Sequence, residues 1–259
     1  MPKNTNAQFI FLALTLVVLM AGSCKTPVMS QSNKGGFVQI FDGKTLKGWE
    51  GDPRYWRVEN GSMVGEVTPA TLLKTNTFII WRGGKTTDFE LKLECRITTD
   101  GNSGINYRSE ELKDIPHALR GYQADIDGKI NYTGQNYEER GRTTLAYRGQ
   151  KVVVKAPDNP TEPRSLPANI KNNAWTGVVV AASLGSSDSL KALIRSNDWN
   201  TFHLVVKGNR MQHFVNGVLM SDVTDNDTVN RKMTGLLGVQ VHVGPPMKVE
   251  YRNLQLKQL

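Results

Sequence analysis

Short strand-like runs separated by tight-turn residues dominate this sequence and limit its fold most narrowly. TFHLVVKGNRMQHFVNGVLMSDV contains two such turns, Gly208-Asn209 and Asn216-Gly217, and YWRVENGSMVGEV contains another at Asn60-Gly61. Asn-Gly between alternating apolar residues is a strong hairpin signal. A helical pattern behind a Ser or Asp cap is found at residues 187–195. The sequence therefore predicts an all-β antiparallel sandwich or jelly roll.

The first 35 residues are expected to lie outside the folded domain. Lys3 precedes an apolar run, residues 9–20, that is too short to span a bilayer comfortably, and the run leads into Ala-Gly-Ser-Cys. This ending resembles the lipobox of bacterial lipoproteins, in which Cys24 is lipidated, and an ordinary secretory signal is the alternative. We expect a signal peptide at 1–23, a polar tether at 24–35 and a single jelly-roll domain at 36–259.

An acylated Cys24 would anchor the chain to the bacterial outer membrane. Surface-exported lipoproteins often carry acidic residues just after the cysteine, whereas none occurs between Cys24 and Asp42 here. We therefore expect a periplasm-facing anchor. Cys95 shares a strand face with Leu91 and Leu93, and it is predicted to be a small buried core residue.

The charge pattern argues against a nucleic-acid partner. The formal net charge is +8, but the basic residues are scattered and form no runs. No phosphate-binding glycine motif and no paired-cysteine zinc spacing occurs. The charge is thus interpreted as a surface and solubility property.

A polar cluster within residues 121–142 is the strongest candidate for a binding site. In GYQADID, alternate side chains share a strand face. Because Asp is a poor strand former, acidic residues aligned in this way indicate a polar binding groove. An exposed strand followed by a solvated loop is the alternative. The candidate residues are Gln123, Asp125 and Asp127 on the strand, and Glu138, Glu139, Arg140 and Arg142 after it.

Other strands also have one apolar and one polar face. If they neighbour the first strand, their polar faces line one concave surface, with an aromatic wall beside it. Such a surface suits carbohydrate, whose hydroxyls pair with charged and amide groups and whose C–H faces pack on aromatic rings. The added candidates are Asn106, Arg108, Gln240, His242, Glu94 and the wall residue Trp81. His203 and His213 are instead expected to form an exposed cross-strand pair.

These motifs resemble the DUF1080 family, named for 3-keto-disaccharide hydrolase and 3-keto-glucoside lyase and hydratase activity. The resemblance runs from about residue 36 to residue 256 and includes FDGKTLKGW, YWRVENGSMVGE, NSGINYR, GYQADI and GLLGVQVHVG in the family's order. It implies a concanavalin A-like jelly-roll sandwich of two curved antiparallel sheets. The family commonly reads Gly-Tyr-Glu-Val-Gln-Ile where this chain has Gln123 and Asp125, so the acidic group has moved two residues along the same face.

The resemblance also implies an elimination chemistry. A 3-keto group acidifies the C2 hydrogen, a base removes that proton, and the C1 substituent departs. We assign the base to Asp125 or His242 and the acid to Glu138 or Glu139. Arg108 or a divalent cation would stabilise the oxyanion, and Asp125, Glu138 and His242 could hold such a metal.

Two alternatives stay open. One is a carbohydrate-binding module without catalysis, since fold alone does not establish activity. The other is a conventional glycoside hydrolase with a carboxylate pair. The sequence lacks the close Glu-x-Asp-x-Glu spacing usual in jelly-roll glucanases.

Overall fold

The computed structural model describes residue 1, residues 36–156 and residues 171–259. The predicted signal peptide beyond residue 1 and the whole predicted tether, with Cys24, therefore lie outside the described residues. Within the described ranges, seventeen strands form two sheets, and the short helix α1 (Ser187–Lys191) lies between β12 and β13. No helix in those ranges is long and apolar enough to cross a membrane.

The larger sheet has ten strands, and its pairs are antiparallel except for the parallel neighbours β11 and β15. Its order is β12-β11-β15-β14-β13-β6-β17-β4-β3, with β1 also paired to β17. Its strands are β1 (Val38–Gln39), β3 (Trp56–Glu59), β4 (Ser62–Val67), β6 (Phe89–Ile97), β11 (Gln150–Val154), β12 (Val178–Ser183), β13 (Asn200–Lys207), β14 (Arg210–Val215), β15 (Val218–Asp225) and β17 (Met247–Gln258).

The smaller sheet has seven antiparallel strands in the order β10-β9-β8-β7-β16-β5-β2. It contains the strands on which most of the candidate residues lie. Its strands are β2 (Trp49–Glu50), β5 (Thr77–Thr86), β7 (Asn102–Glu111), β8 (Leu119–Asp127), β9 (Asn136–Glu139), β10 (Thr143–Ala146) and β16 (Gly235–Val241). The predicted all-β jelly-roll sandwich is confirmed.

The predicted hairpin turn at Asn60-Gly61 joins β3 to β4. Both residues have positive φ, 50° and 79°, as a two-residue type I′ turn requires. The predicted helical segment is shorter than the pattern suggested and ends at Lys191. Ser186 caps it, because its hydroxyl accepts a 3.1 Å hydrogen bond from the Ser189 N–H.

The main core lies between the two sheets. On β8 the apolar residues Tyr122, Ala124 and Ile126 are buried in it, so the alternate residues of that strand face outward from the core. Cys95 is 1% exposed, and burial raises the pKa of its thiol. It is thus the buried core residue that the sequence predicted.

Candidate functional site

A groove of about 370 Å³ opens on the outer face of the seven-stranded sheet. This volume lies within the range of small-molecule sites, roughly 300–1,000 Å³. The strands β7, β8 and β9 supply its floor, and loops around them supply its rim. The residues that line the groove are Asn76, Asn102, Gln123, Asp125, Tyr132, Gln135, Tyr137, Glu139, Arg140, Gly141, Thr143, Asn173 and His242.

Strand register decides which side chains reach the groove. Gln123 pairs with Tyr137, and Gly121 pairs with Glu139, so Tyr137 and Glu139 share the face of Gln123. Tyr122 pairs with Glu138, which places Glu138 on the opposite, core-facing side. Adjacent residues of β9 therefore serve different sides of the sheet.

Asp125 is held at the groove floor by two glutamine amides. Gln123 Nε2 donates to its Oδ1 at 2.6 Å, and Gln135 Nε2 donates to its Oδ2. Burial raises the pKa of Asp125 from 3.8 to about 7, with smaller upward contributions from the charges of Glu139 and Asp127. The two amide hydrogen bonds oppose this shift. The result is a carboxyl that changes its charge near neutral pH.

Gln123 is itself fixed from below. Gln240 Nε2 donates to Gln123 Oε1 at 3.3 Å. A Cβ on Gly104 would lie 2.3 Å from the Gln123 Cδ, so only glycine there lets the side chain lie across β7. Asn106 is fully buried beside these residues. Gln240 and Asn106 therefore lie beneath the groove, and the expectation that they contact a ligand directly is corrected.

Glu139 and Arg140 supply charge at the rim. Asn76 Nδ2 donates to Glu139 Oε1 at 3.1 Å, and Arg140 Nε lies 3.8 Å from the same oxygen. Arg140 Nη2 donates to Thr75 Oγ1 at 2.7 Å. Its buried Nε has no hydrogen-bond partner among the described residues, and Arg140 places a positive charge at the groove.

His242 lines the groove from the end of β16. Its Nδ1 lies within hydrogen-bond distance of the Val243 carbonyl oxygen, which can only accept. Nδ1 therefore carries the hydrogen in this arrangement, and Nε2 is the acceptor of the neutral ring. Tyr137 lies on the same face of the sheet, and burial raises the pKa of its hydroxyl to about 12. It stays protonated at neutral pH and can donate.

Glu138 and Arg142 are absent from the groove. Arg142 donates to Glu138 Oε2 and, at 2.6 Å, to Asp225 Oδ2, and all three side chains are buried. Tyr122 also donates to Asp225, at 2.6 Å. This ion cluster joins β8, β9 and β15 inside the molecule. The expectations that Glu138 acts as acid or metal ligand, and that Arg142 binds substrate, place these side chains on the wrong side of the sheet.

Arg108 also turns away from the groove. The register of β7 shifts between Tyr107 and Glu110, and Arg108 has a positive φ of 47°. Its guanidinium donates to the carbonyls of Thr87 and Gly208 at 2.8 and 2.7 Å and to Asp88 at 3.0 Å. The irregularity breaks the alternation on which its predicted position depended. Arg108 thus anchors loops and does not line the groove.

Asp127 serves a loop. Its carboxylate accepts the N–H groups of Asn131, Tyr132 and Thr133 at 2.9, 2.8 and 2.9 Å. These contacts leave it as a cap for the connection between β8 and β9. The expectation that Asp127 contacts substrate is therefore corrected, because its carboxylate positions the backbone of Tyr132, which lines the groove.

Two further candidates lie elsewhere in the fold. Trp81 packs against the core between the sheets, because it shares the face of Ile79 and not that of Ile80. Glu94 is on β6 of the other sheet, where Arg252 donates to it at 2.8 and 2.6 Å. Trp81 is thus in the sheet of the groove but on its inner face, whereas the expectation for Glu94 assumed one sheet where the topology has two.

His213 is a buried residue and not half of an exposed pair. Tyr107 Oη lies 2.8 Å from its Nε2, and burial lowers its pKa from 6.5 to about 4. It pairs with the core residue Leu204 across the strands, which places it on the inner face. The exposed pair predicted for His203 and His213 is therefore wrong.

Within residues 36–156 and 171–259, no three His, Cys, Asp or Glu side chains converge as metal ligands would. The predicted set of Asp125, Glu138 and His242 is divided by the sheet, since Glu138 lies on its inner side. Each carboxylate oxygen of Asp125 accepts a hydrogen bond from a glutamine amide. The arrangement supports acid–base chemistry by side chains.

Several residues of the groove were not among those predicted from the sequence. Gln135 and Tyr137 alternate with Glu139 in QNYEE, and this period of two would have identified them. Asn76, Tyr132 and Asn173 come from loops, where no strand period indicates a direction.

Comparison with known proteins adds a family and a fold. A family model described as "3-keto-alpha-glucoside-1,2-lyase-like domain" matches residues 36–257. A 3-keto-disaccharide hydrolase from Bacteroides thetaiotaomicron is 34% identical over 91 residues, which cover 30% of this chain and 29% of that protein. The match thus spans less than a third of the relative's length.

Solved structures support the architecture. Two candidate glycosyl hydrolases from Parabacteroides distasonis have TM-scores of 0.53 and 0.54 at 19% and 14% identity. Each alignment covers 86% of this chain, and they cover 94% and 99% of the respective relatives. A Bacillus subtilis protein of unknown function with a galectin-like fold has a TM-score of 0.50 at 12% identity, covering 82% of this chain and 90% of its own. At such identities the similarity shows the fold alone.

Proposed function

We propose that this chain, which belongs to the 3-keto-alpha-glucoside-1,2-lyase-like domain family, cleaves 3-keto-glycosides by elimination and hydration. The observation that carries the proposal is Asp125, buried at the groove floor and held on both oxygens by amides. Its pKa of about 7 suits a general base at neutral pH. The name of the partial relative, a 3-keto-disaccharide hydrolase, agrees with this substrate class.

The proposed first step is removal of the C2 proton by Asp125. The C2–H bond breaks, its electron pair forms the C2–C3 double bond, and charge moves to the C3 oxygen. Arg140 would stabilise that oxygen, because among the described residues that line the groove it is the only arginine or lysine. It takes the role first assigned to Arg108.

The proposed second step expels the C1 substituent. The enediolate electrons form the C1–C2 double bond, the C1–O bond breaks, and the leaving oxygen receives a proton. Glu139 is the acid of the original pair that lies in the groove, and His242 and Tyr137 line the same space. Water then adds oxygen to C1 and a proton returns to C2, which yields the 3-keto sugar and the released alcohol.

The experiment that tests this function compares two substrates and three proteins. Wild type, Asp125→Asn and the control Asp100→Asn, whose side chain is 61% exposed in a surface ion pair, are assayed on a 3-keto-glucoside and on the unoxidised glucoside. We expect cleavage of the keto substrate alone and a loss of at least about 100-fold in kcat for Asp125→Asn, the usual size of a general-base contribution.

Other outcomes would contradict the proposal in distinct ways. Cleavage of the unoxidised glucoside at a comparable rate would indicate a conventional glycoside hydrolase. Saturable binding of either sugar without turnover would indicate a carbohydrate-binding module. Equal activity of Asp125→Asn and wild type would exclude Asp125 as the base.

We also propose that Cys24 carries a lipid that anchors the chain to the bacterial outer membrane on its periplasmic side, which rests on the sequence pattern at residues 21–24. The test is metabolic labelling with an alkyne fatty acid in a bacterial host. We expect wild type to be labelled and to sediment with outer membranes, whereas Cys24→Ser is unlabelled. Labelling of both proteins, or of neither, would contradict the anchor, and digestion by protease added to intact cells would contradict its orientation.

A further inference from the structure

Tyr132 combines a strongly exposed ring with a firmly held backbone. Its side chain lines the groove, and the residue is 44% exposed. Its N–H donates to the buried carboxylate of Asp127 at 2.8 Å, and the N–H groups on both sides of it donate to the same carboxylate. Three charge-assisted hydrogen bonds thus fix the position from which the ring projects.

A second set of contacts fixes the loop from the other side. The buried Arg148 donates from Nη1 to the Thr133 carbonyl at 2.8 Å and from Nε to the Ser187 carbonyl at 3.1 Å. The loop is therefore connected to the start of α1. An exposed ring on such a support loses little conformational entropy when a ligand packs against it.

The same loop reaches the reacting centre. The Gln135 N–H donates to the Tyr132 carbonyl at 3.0 Å, which closes a four-residue turn and keeps the two Cα atoms within about 7 Å. Gln135 at the other end of this turn donates to Asp125. One turn thus connects Tyr132 to the proposed base, and both residues line the same groove.

We propose that Tyr132 is the stacking platform for the second hexose ring of a disaccharide substrate, namely the leaving group attached to C1. This inference rests on the proposed function. The charged residues at the groove floor suit the oxidised ring, whereas an aromatic face at the rim suits the C–H face of an unoxidised one. Because elimination expels only the C1 substituent, the ring beside the reacting one is the leaving group.

The test measures how strongly each protein prefers a substrate with two rings. The ratio of kcat/KM for a 3-keto-disaccharide to that for methyl 3-keto-glucoside is determined for wild type, Tyr132→Ala, Tyr132→Phe and Tyr147→Ala. Tyr147 is a matched control, because it is also 44% exposed but does not line the groove. We expect Tyr132→Ala to lower the ratio about five-fold, mainly through KM, and Tyr132→Phe to restore it to within about two-fold.

The opposite results are equally specific. An unchanged ratio in Tyr132→Ala, the same loss in Tyr147→Ala, or no rescue by phenylalanine would overturn the platform. If no protein turns over either substrate, the proposed function fails, and calorimetry with the unoxidised disaccharide and methyl glucoside decides the platform separately. Tighter binding of the disaccharide than of methyl glucoside by wild type, lost in Tyr132→Ala, would support the platform. Equal binding of the two sugars by wild type, or no binding of either, would overturn it.

Discussion

Asp125 shows how opposing local interactions set the charge of one side chain. Burial and the neighbouring charges of Glu139 and Asp127 favour its neutral form, while the amides of Gln123 and Gln135 favour the carboxylate. The balance lies near pH 7 and would change with the loss of any of these partners. Asp125 is therefore sensitive to substitutions that never touch a ligand.

The raised pKa of Asp125 predicts a specific pH dependence of stability. The unfolded chain releases this proton near pH 3.8 and the folded chain near 7, so the unfolded state binds fewer protons in between. The free energy of unfolding therefore falls as the pH rises from about 4 to about 7, by about 4 kcal/mol from this group. Urea unfolding of wild type and Asp125→Asn at pH 4.5 and pH 8 measures this change. We expect the stability of Asp125→Asn relative to wild type to be higher at pH 8 than at pH 4.5.

The difference between these two proteins isolates Asp125. His213 has a folded pKa of about 4, below its ordinary 6.5, so its effect on stability has the opposite sign. It lowers the free energy of unfolding as the pH falls from 6.5 to 4. This contribution is present in both proteins and cancels. A difference in unfolding free energy that is the same at both pH values would contradict the raised pKa.

The paired strands β7 and β8 form the floor of the groove because β7 has a glycine, and therefore no side chain, at one position that faces the groove. Gly104 lies opposite Asp125 in register, and Gln123 crosses above it. Gln240 on β16 holds the same glutamine from the next strand. The orientation of the proposed base is thus decided by three neighbouring strands together.

We predict that Gly104→Ala displaces Gln123 and weakens its hydrogen bond to Asp125. The new Cβ would lie 2.3 Å from Gln123 Cδ, so the side chain must move. Without that amide the pKa of Asp125 rises further, and the pH at which activity is half-maximal should rise with it. A pH–rate profile of wild type and variant measures this shift.

A double-mutant cycle provides the control. In the Gln123→Ala background the added methyl group no longer meets a glutamine, so Gly104→Ala should have little additional effect on stability or on the pH profile. Additive effects of the two substitutions would show that Gly104 acts independently of Gln123.

The two sheets are joined by a buried ion cluster as well as by apolar packing. Arg142 reaches Glu138 on β9 and Asp225 at the end of β15, and it donates to Asp227 at 3.4 Å. The Tyr122 hydroxyl and backbone N–H groups donate further hydrogen bonds to these carboxylates. A buried ion cluster of this kind stabilises the folded protein only while each charged side chain keeps its partner.

We predict that Arg142→Leu lowers the free energy of unfolding by about 3–5 kcal/mol, because it leaves buried carboxylates without their cation. Arg120→Ala is the matched control, since Arg120 is half-exposed in an ion pair with Glu110 and should contribute less than about 1 kcal/mol. Urea unfolding of both variants measures the difference. Similar losses in the two variants would contradict a structural role for the cluster.

Strand alternation predicted the part of the groove that lies within regular strands. It correctly placed Gln123 and Asp125 on the same outward face. Applied to β9, the same alternation places Glu139 and Glu138 on opposite faces of the sheet. It failed at Arg108, where the register shifts, because a bulge cancels the period of two. The contact of Gln135 with Asp125 depends on a turn, so strand alternation does not predict it. The distribution of strands between two sheets depends on pairing between residues distant in the sequence, which a local pattern does not predict either.

The place of β17 in the larger sheet affects how the chain acquires its structure during synthesis. This last strand lies between β6 and β4 and also pairs with β1, so three earlier segments depend on residues 247–258 for a neighbour. A nascent polypeptide that lacks them has two open strand edges and a divided sheet. The larger sheet is therefore completed only when residues 247–258 pair with both neighbours, which makes this pairing a long-range and comparatively slow step of folding.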